Sequence, residues 1–557
     1  MTTSPPAPFP VDPTRTETIA ARPPAETIEA RLARMTPAEK VGQVMIVGFA
    51  GPTLTPELRD LVAQLRVGGV ILFLANGNIE TPEQVATLTR DLQTAALERG
   101  GPGLFTAVDQ EGGRVARLRE TTGFTELPGA MALAATGDVE SARRAAQLLA
   151  REMRAVGLNV DFAPVLDVNN NPANPVIGVR AFGSDPERVA AYGVAFIEGL
   201  QSEGVLAFGK HFPGHGDTDV DSHLALPSVP HDRARLAAVE YVPFNAAITA
   251  DVAGIMSAHV TFPAIDPSGL PATLSRPVLT DLLRGELGYD GLLVTDSLEM
   301  GALSQSLGLS PAEAAAAALA AGADLLLFNQ GHADHRAAHA LILQQVAAGA
   351  IPMSRLDEAV LRVLRAKERF GLLAPELPDP AAAAGEVFTA EHRALADDLA
   401  ARSITLLRDD AGLIPLAADG QLFVFEIPAM TGLGALLGET TMAIGAQPTA
   451  AEIRTAAGLA SQGRPVLVGV ADVGHNPQQI ELVTALVEAG APVIVVALRE
   501  PYDLLALPAG PTLLATYGAP PPSLRAIGAA LRGSSQLTGR LPVDLPGLFA
   551  PGAGLTP

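Results

Sequence analysis

Short apolar segments alternate with longer helical stretches between residues 44 and 328, and this repetition constrains the fold more than any other feature. Each apolar segment predicts a buried strand of a parallel sheet, and the Ala-rich or amphipathic stretch after it predicts the crossover helix. The predicted strands are Val44–Phe49, Gly69–Leu74, Leu104–Val108, Val160–Val168, Val205–Gly209, Gly254–Val260, Gly291–Thr295 and Asp324–Phe328. Eight such units over roughly 300 residues are typical of a (β/α)8 TIM-type barrel. A doubly wound open sheet is the alternative.

Polar residues at one end of the predicted strands favour the barrel. They are Asp109, Asp167, Lys210, His211, His259, Asp296 and Asn329. Loops are generally polar, which explains any one of these positions but explains the whole set less well. Since (β/α)8 enzymes build their active sites at the C-terminal ends of the strands, we expect an active site at this rim.

A second α/β pattern follows a segment rich in Pro and Ala. Its predicted strands are Gln421–Ile427, Pro465–Val470, Pro492–Leu498 and Pro511–Tyr517. The chain of 557 residues is too long for one compact core. We therefore predict a flexible arm over 1–26, a catalytic barrel over 27–372, a linker over 373–394, and a smaller α/β three-layer sandwich domain over 395–557.

Composition excludes several classes of function. The chain has no Cys, which excludes disulfides, thiolate metal sites and cysteine nucleophiles. A formal net charge of −22 argues against nucleic acid as a partner. The N-terminal stretch does not have the pattern of a secretory signal peptide, and no apolar segment reaches membrane-spanning length. We expect a cytoplasmic protein with no membrane partner.

The segment Lys210–Pro227 combines three His and three Asp within eighteen residues. The spacing of Asp217, Asp219 and Asp221 resembles the start of a calcium loop, but Ser222 replaces the required Gly and Ser228 the required Glu. The chain also lacks the His-Glu-x-x-His helix of zinc proteases. We expect no metal and no cofactor. A metal hydrolase whose ligands converge from separate strands is the alternative.

Two segments contain residues suited to acid/base and nucleophilic chemistry. Asp221 and His223 are two residues apart, so in an extended loop the carboxylate can orient the imidazole and raise its basicity. A simple polar turn is the other interpretation of this tripeptide. Asp296 closes the seventh predicted strand directly before a predicted helix. It either faces the pocket or caps that helix, and the segment alone leaves both open.

Four segments together resemble family 3 glycoside hydrolases, in the branch of β-N-acetylglucosaminidases (β-hexosaminidases). They are DQEGGRVARL at Asp109–Leu118, NPVIGVRAFGSDP at Asn174–Pro186, KHFPGHGDTDVDSHLALP at Lys210–Pro227 and VTDSLEM at Val294–Met300. They occur in the order found in the family. The resemblance extends into the second domain and so covers nearly the whole chain.

The resemblance implies a retaining mechanism. Asp296 would attack the anomeric carbon and form a covalent glycosyl-enzyme. His223 would protonate the leaving oxygen and then activate water, while Asp221 holds its tautomer and stabilises the imidazolium. Most glycosidases use a carboxylic acid in this role, so His223 departs from the usual pair of carboxylates.

The resemblance also implies a substrate and the residues that bind it. The substrate would be a small carbohydrate with a terminal β-linked N-acetylglucosamine, such as a muropeptide from peptidoglycan recycling or a chitooligosaccharide. The sugar-binding residues would be Asp109, Arg117, Arg180, Lys210 and His211. The absence of Trp favours short substrates. A phosphorylase on the same scaffold and a non-catalytic sugar-binding protein are the alternatives.

Overall fold

The computed structural model describes residues 26–98, 100–329, 332–417 and 421–556, so the arm predicted over 1–26 lies outside the described residues except for its last position. Its first sheet contains eight strands: β1 Met45–Gly48, β2 Gly69–Ile71, β3 Phe105–Val108, β4 Val160–Asp161, β5 Leu206–Phe212, β6 Gly254–Ser257, β7 Leu292–Thr295 and β8 Leu326–Phe328. They lie in the order β7-β6-β5-β4-β3-β2-β1-β8, and the pairs from β1 to β8 are parallel. All eight predicted strands are confirmed.

The two ends of this sheet meet and nearly close it into a barrel. Val294 of β7 bridges Leu325 beside β8, and the amide of Asp324 donates to the carbonyl of Leu293 at 2.8 Å. Inside the barrel, the rings of Phe162 and Phe208 pack edge to face with centroids 5.2 Å apart. The predicted (β/α)8 barrel is therefore confirmed, and its interior is a packed core.

Helices surround the barrel. They are α1 Ile28–Arg34, α2 Pro37–Gln43, α3 Pro56–Gln64, α4 Pro82–Leu97, α5 Ala130–Ala135, α6 Glu140–Ala155, α7 Pro186–Ser202, α8 Arg233–Ala238, α9 Tyr241–Thr249, a π-helix over Pro277–Glu286, α10 Gly301–Ser304, α11 Pro311–Ala321, α12 His332–Ala347 and α13 Met353–Arg369. Several begin alike: Thr55, Thr81 and Ser310 accept a backbone N–H, and Pro follows in the first turn. Among the described residues, no helix is both long and apolar enough to cross a membrane.

The fourth strand is shorter than predicted. It ends at Asp161 instead of Val168. Pro164 has no N–H to donate to a regular ladder, and the pairing with β5 resumes only at the isolated bridge between Val165 and Lys210. Asp167 consequently lies in a loop at the rim.

The second domain contains a six-stranded sheet and the helices α14 Pro380–Glu386, α15 Ala390–Ser403, α16 Leu433–Leu437, α17 Ala450–Ala460, α18 Gln478–Glu488 and α19 Pro521–Leu531. Its strands are β9 Thr405–Arg408, β10 Phe423–Glu426, β11 Thr440–Ala443, β12 Val466–Val470, β13 Val493–Ala497 and β14 Thr512–Ala515. They lie in the order β11-β10-β12-β13-β14-β9, with β9 antiparallel to β14. The four predicted strands are confirmed, and the predicted α/β sandwich is present.

The predicted linker over 373–394 contains α14 and the start of α15. Asp379 caps α14 by accepting the amide of Ala381, and Ala383 is fully buried. This helix packs against α4 of the barrel. The segment thus folds onto the catalytic domain instead of forming an extended spacer.

The second domain docks on loops of the barrel rim. The Oε2 atom of Glu500 accepts the amide of Val179 at 3.0 Å, and Asn169 Nδ2 donates to the hydroxyl of Tyr502 at 3.0 Å. A guanidinium nitrogen of Arg525 lies 3.0 Å from an oxygen of Glu120. The carboxyl end of β13 thereby reaches the loop that carries Arg180.

Candidate active site

A cavity of about 320 Å³ opens at the C-terminal ends of the barrel strands. This volume falls within the range of small-molecule sites. The structure brings all the sequence-predicted site residues to its lining. They are Asp109, Arg117, Arg180, Lys210, His211, Asp221, His223 and Asp296.

A network of ion pairs forms one wall of the cavity. Lys210 Nζ lies 2.9 Å from Asp109 Oδ1 and 2.8 Å from Glu111 Oε1. Arg180 donates to both oxygens of Glu111, at 2.9 and 2.8 Å. Arg117 lies 3.7 Å from Asp109. These contacts fix the charged groups in place before any ligand arrives.

Glu111 is a member of this wall that was not singled out from the sequence. Its burial alone would raise its pKa, but Arg180 and Lys210 hold that pKa well below its usual range. The carboxylate is therefore ionised and balances both cations. Its position two residues after Asp109 was the available signal, because alternate residues of an extended segment face the same side.

His211 is held from behind by a buried carboxylate. Asp167 Oδ2 lies 2.7 Å from His211 Nδ1, while Asp167 Oδ1 accepts the backbone amides of His211 and His215 at 3.2 and 2.6 Å. Because an ionised carboxylate only accepts, the proton of a neutral His211 sits on Nδ1. Its Nε2 lies 3.5 Å from Arg180, at the cavity.

Asp296 directly follows β7 and lines the cavity. The next helix begins at Gly301 with Met300 at its N-cap, so Asp296 is not the cap residue. Its Oδ1 accepts the amide of Ser297 at 2.7 Å. Burial would raise the pKa of Asp296, but His259, His211 and His223 outweigh it and lower the pKa to about 2. The carboxylate is ionised at neutral pH, as a nucleophile requires.

Buried His259 anchors the segment that carries Asp296. Its Nε2 lies 2.8 Å from the carbonyl oxygen of Ser297, and its Nδ1 lies 2.8 Å from Thr273 Oγ1. Since a carbonyl only accepts, Nε2 carries a proton and donates it to Ser297. Burial lowers the pKa of His259, so the neutral ring is the favoured form.

The pair Asp221 and His223 lies on the loop that follows β5. Asp221 Oδ1 accepts from the backbone amide of His223 at 2.8 Å and lies 2.7 Å from its Nδ1. The first contact is an Asx turn and the second orients the ring, so the polar turn and the acid/base geometry coexist. The side chain of His223 is 60% exposed, which leaves Nε2 free to approach a leaving group.

Neighbouring contacts hold this loop. Buried His215 lies 2.8 Å from Thr218 Oγ1 through Nδ1 and 2.9 Å from Ser222 Oγ through Nε2. At the outer end, His231 Nε2 lies 2.6 Å from Asp217 Oδ2. The dyad is thus carried by a loop that is tied at both ends.

One cluster of possible metal ligands lies outside the cavity. Ligand atoms of Asp217, His231 and Glu240 lie within 4.8 Å of one another. However, Arg235 donates to both carboxylate oxygens of Glu240, at 2.8 and 2.6 Å. The guanidinium already compensates the charge that would attract a cation.

Residues 36–366 match the model of the glycosyl hydrolase family 3 N-terminal domain. The chain is 38% identical over 401 residues to a beta-hexosaminidase A of Pseudoalteromonas piscicida. That alignment covers 68% of this chain and 65% of the relative, so this chain spans less than two thirds of that relative's length.

Two further relatives align over almost their whole lengths. A beta-N-acetylglucosaminidase/beta-glucosidase of Cellulomonas fimi is 32% identical, over 93% of this chain and 95% of the relative. The solved structure of a glycoside hydrolase family 3 beta-N-acetylglucosaminidase from Paenibacillus sp. str. FPU-7 superposes with a TM-score of 0.86 at 40% identity. It covers 93% of this chain and 100% of that structure.

Proposed function

The chain belongs to glycosyl hydrolase family 3, and we propose that it is a retaining exo-β-N-acetylglucosaminidase acting on short substrates. One observation carries the proposal: an ionised carboxylate, Asp296, and an oriented imidazole, His223, line a single cavity beside a fixed wall of charged groups. Relatives named beta-hexosaminidase and beta-N-acetylglucosaminidase support the choice of sugar.

In the first step, a carboxylate oxygen of Asp296 bonds to the anomeric carbon and the bond to the leaving oxygen breaks. His223 delivers the proton that the leaving oxygen needs, and Asp221 stabilises the ring in the correct tautomer. The products are a glycosyl ester on Asp296 and the free leaving alcohol.

In the second step, His223 removes a proton from an incoming water. The water oxygen bonds to the anomeric carbon, and the ester bond to Asp296 breaks. The configuration is inverted twice and thus retained. The imidazole returns to its protonated form for the next cycle.

The wall of ion pairs supplies the binding groups for the sugar. The ammonium of Lys210 and the carboxylate of Asp109 present a donor and an acceptor side by side, which suits neighbouring hydroxyls. Arg180 and His211 add donors and an acceptor on the same side. Since the network is preformed, binding requires little reordering.

Product analysis tests this proposal. We expect free N-acetylglucosamine, first released as the β-anomer, from an aryl β-N-acetylglucosaminide, from chitobiose and from a muropeptide. The same incubation in phosphate buffer separates hydrolysis from phosphorolysis, because a phosphorylase releases the sugar 1-phosphate. Release of the α-anomer contradicts the retaining mechanism, and binding without turnover contradicts an enzymatic role.

A further inference from the structure

The loop that carries the acid/base dyad lies directly on α10, the short helix that follows the nucleophile segment. Three hydrogen bonds join the loop to this part of the chain, and each uses a backbone group of the loop. They run from Gly301 N to His223 O at 3.1 Å, from Ala302 N to Ser222 O at 3.2 Å and from Leu226 N to Ser306 Oγ at 3.1 Å. We call these three contacts the docking seam.

The docking seam can form only because residue 301 has no side chain. A Cβ atom at Gly301 would lie 2.6 Å from the carbonyl oxygen of His223 and 2.8 Å from that of Leu224. Ordinary van der Waals contact begins at 3.4 Å, so the first distance is too short by about 0.8 Å. Both obstacles are backbone atoms, which no change of rotamer can move. The φ angle of Gly301 lies outside the left-handed region, so the close contact, and not the backbone conformation, requires glycine.

The helix is the fixed side of the docking seam. Gly301 is buried, and Ala302 and Leu303 are fully buried. The loop is the exposed side, since the side chain of His223 is 60% exposed and Leu224 is 67% exposed. A displacement at the seam therefore moves the loop, and His223 with it, while α10 stays in place.

The stretch between β7 and α10 also lines the candidate active-site cavity. Asp296, Ser297 and Met300 all line it, and Gly301 follows Met300 directly. The carbonyl of Ser297 accepts from buried His259, which fixes this stretch to the barrel. One short segment thus holds the nucleophile at one end and receives the acid/base loop at the other.

We propose that Gly301 is a positioning residue, which sets the separation of His223 from Asp296 by allowing the acid/base loop to dock on α10. The inference rests on the proposed function, because it concerns the two reacting groups of that mechanism. In a retaining glycosidase one group attacks the anomeric carbon while the other protonates the leaving oxygen, so their separation is narrowly defined. A displacement of about 1 Å can lower the rate by roughly 10²-fold.

Gly301→Ala tests the docking seam through its dependence on the leaving group. The variant displaces the proton donor but not the nucleophile. We therefore expect kcat/KM to fall by roughly 10²-fold with chitobiose, and by less than about threefold with an activated aryl glycoside. Gly458→Ala is the matched control, because a Cβ atom at this helical glycine of α17 meets no neighbouring atom within 4 Å. Unchanged hydrolysis of chitobiose by Gly301→Ala overturns the proposal, and so does an equal loss with both substrates.

A double variant distinguishes positioning from a general structural effect. If Gly301 acts through His223, Gly301→Ala should cause no further loss with chitobiose in a chain that already carries His223→Ala. A further loss as large as the one in the wild-type background would show that Gly301 acts independently of His223, which contradicts the proposal.

Ser306 tests the other end of the docking seam without adding bulk, and it decides the matter if Gly301→Ala does not fold. Ser306→Ala removes the hydroxyl that accepts the amide of Leu226. We expect kcat/KM with chitobiose to fall by about 3–10-fold, the effect of one hydrogen bond, with little change for the aryl glycoside. Ser306→Thr keeps the hydroxyl and should recover most of the loss. An unchanged rate with chitobiose in Ser306→Ala contradicts the docking seam. A wild type that releases no sugar from either substrate instead contradicts the proposed function itself.

Discussion

Burial raises the pKa of a carboxyl group, yet the pKa of Asp296 is low. It lies at the end of a barrel strand with limited contact to water, yet nearby imidazoles lower its pKa to about 2. Its only hydrogen bond from the chain, from the amide of Ser297, leaves Oδ2 unoccupied among the described contacts. An ionised oxygen with a free lone pair is what attack on an anomeric carbon requires.

Asp296→Asn should abolish turnover and leave the fold intact. The amide is nearly isosteric but cannot form a glycosyl ester, so we expect kcat to fall by a factor on the order of 10³ or more. The measurement is the release of aryl alcohol, with circular dichroism and thermal unfolding as checks of the fold. Asp219→Asn, which changes a loop carboxylate outside the cavity, is the matched control. Comparable activity in Asp296→Asn contradicts the nucleophile assignment.

His223→Ala should affect substrates according to their leaving groups. A poor leaving group needs a proton, so we expect a loss on the order of 10²-fold or more in kcat/KM with chitobiose, and a much smaller one with an activated aryl glycoside. Azide should restore part of the aryl glycoside turnover and yield glycosyl azide, because a small anion attacks the intermediate without base assistance. A uniform loss across leaving groups would indicate that His223 only binds the sugar.

Asp221→Asn should act through the ring of His223. The amide can donate to Nδ1 and so favour the wrong tautomer, and the imidazolium loses its partner. We expect kcat to fall by roughly 10²-fold or more with both good and poor leaving groups, since deglycosylation also needs the dyad. Steady-state rates with chitobiose and an aryl glycoside measure this. Selective loss with chitobiose alone would confine Asp221 to the first step.

The residues of the candidate site were largely predictable from the sequence, for a physical reason. Reactive side chains that follow parallel strands converge at one rim of the barrel. Residues that are far apart in the sequence, but each follow a strand, therefore lie close together in the structure. The sequence pattern could not distinguish between two roles of one residue, such as Asp296 as a helix cap or as a carboxylate that lines the cavity. Glu111 was missed because its function depends on Arg180, a partner distant in sequence.

At the scale of elements, burial decided which strands could be predicted. The barrel strands and the four central strands of the second sheet are fully or nearly fully buried, and they appear as apolar runs. The edge strand β11 is largely exposed and carries two Thr, so it has no such run. The strand β9 follows α15 after a single residue, and its apolar residues merge with the helical pattern. The Pro-rich segment predicts a linker over 373–394, but Pro also begins helices, as it does at the start of α14.

The loop that carries the dyad is closed by a contact between its ends, His231 and Asp217. Loss of this contact should give the loop more freedom without altering the wall of ion pairs. We therefore expect His231→Ala to lower kcat by about 3–10-fold, which corresponds to the cost of ordering about one residue, with little change in KM. His231→Gln retains a donor and should recover part of the rate.

Arg233→Ala is the control for this loop prediction. It breaks the exposed ion pair between Arg233, the first residue of neighbouring α8, and Glu286 of the π-helix, without touching the loop. Arg233→Ala should unfold at nearly the wild-type temperature, because exposed pairs contribute little to stability. An unchanged kcat in His231→Ala would show that His215 and its hydroxyl partners suffice to hold the dyad.

At the scale of the whole molecule, the two domains are joined at the site itself. Glu500 belongs to the second domain, yet it accepts the amide of Val179, one residue before Arg180. A Cβ atom at Gly178 would lie 2.3 Å from the carboxylate of Glu500, so this loop can approach only because it has Gly there, with φ of 48°. The position of Arg180, which we propose as a sugar-binding residue, thus depends on docking of the second domain.

Glu500 should make this docking sensitive to pH. Burial raises the pKa of Glu500 to about 7, despite the opposing effect of Arg499 and Arg114. The unfolded chain releases this proton at about pH 4.3, whereas the folded protein retains it until about pH 7. Between these values the folded state binds more protons, so the contribution of Glu500 to stability is present at low pH and is lost as the pH rises through 7.

Glu500→Gln keeps a neutral acceptor for Val179 and removes the titration. We expect similar unfolding temperatures for wild type and variant at pH 4.5, and a variant more stable by on the order of 1–3 kcal/mol at pH 8. Glu488→Gln, at the exposed end of α18, is the matched control and should show no such difference. Thermal unfolding at both pH values measures the effect, and parallel curves for wild type and Glu500→Gln would show that the carboxylate is already ionised in the docked molecule.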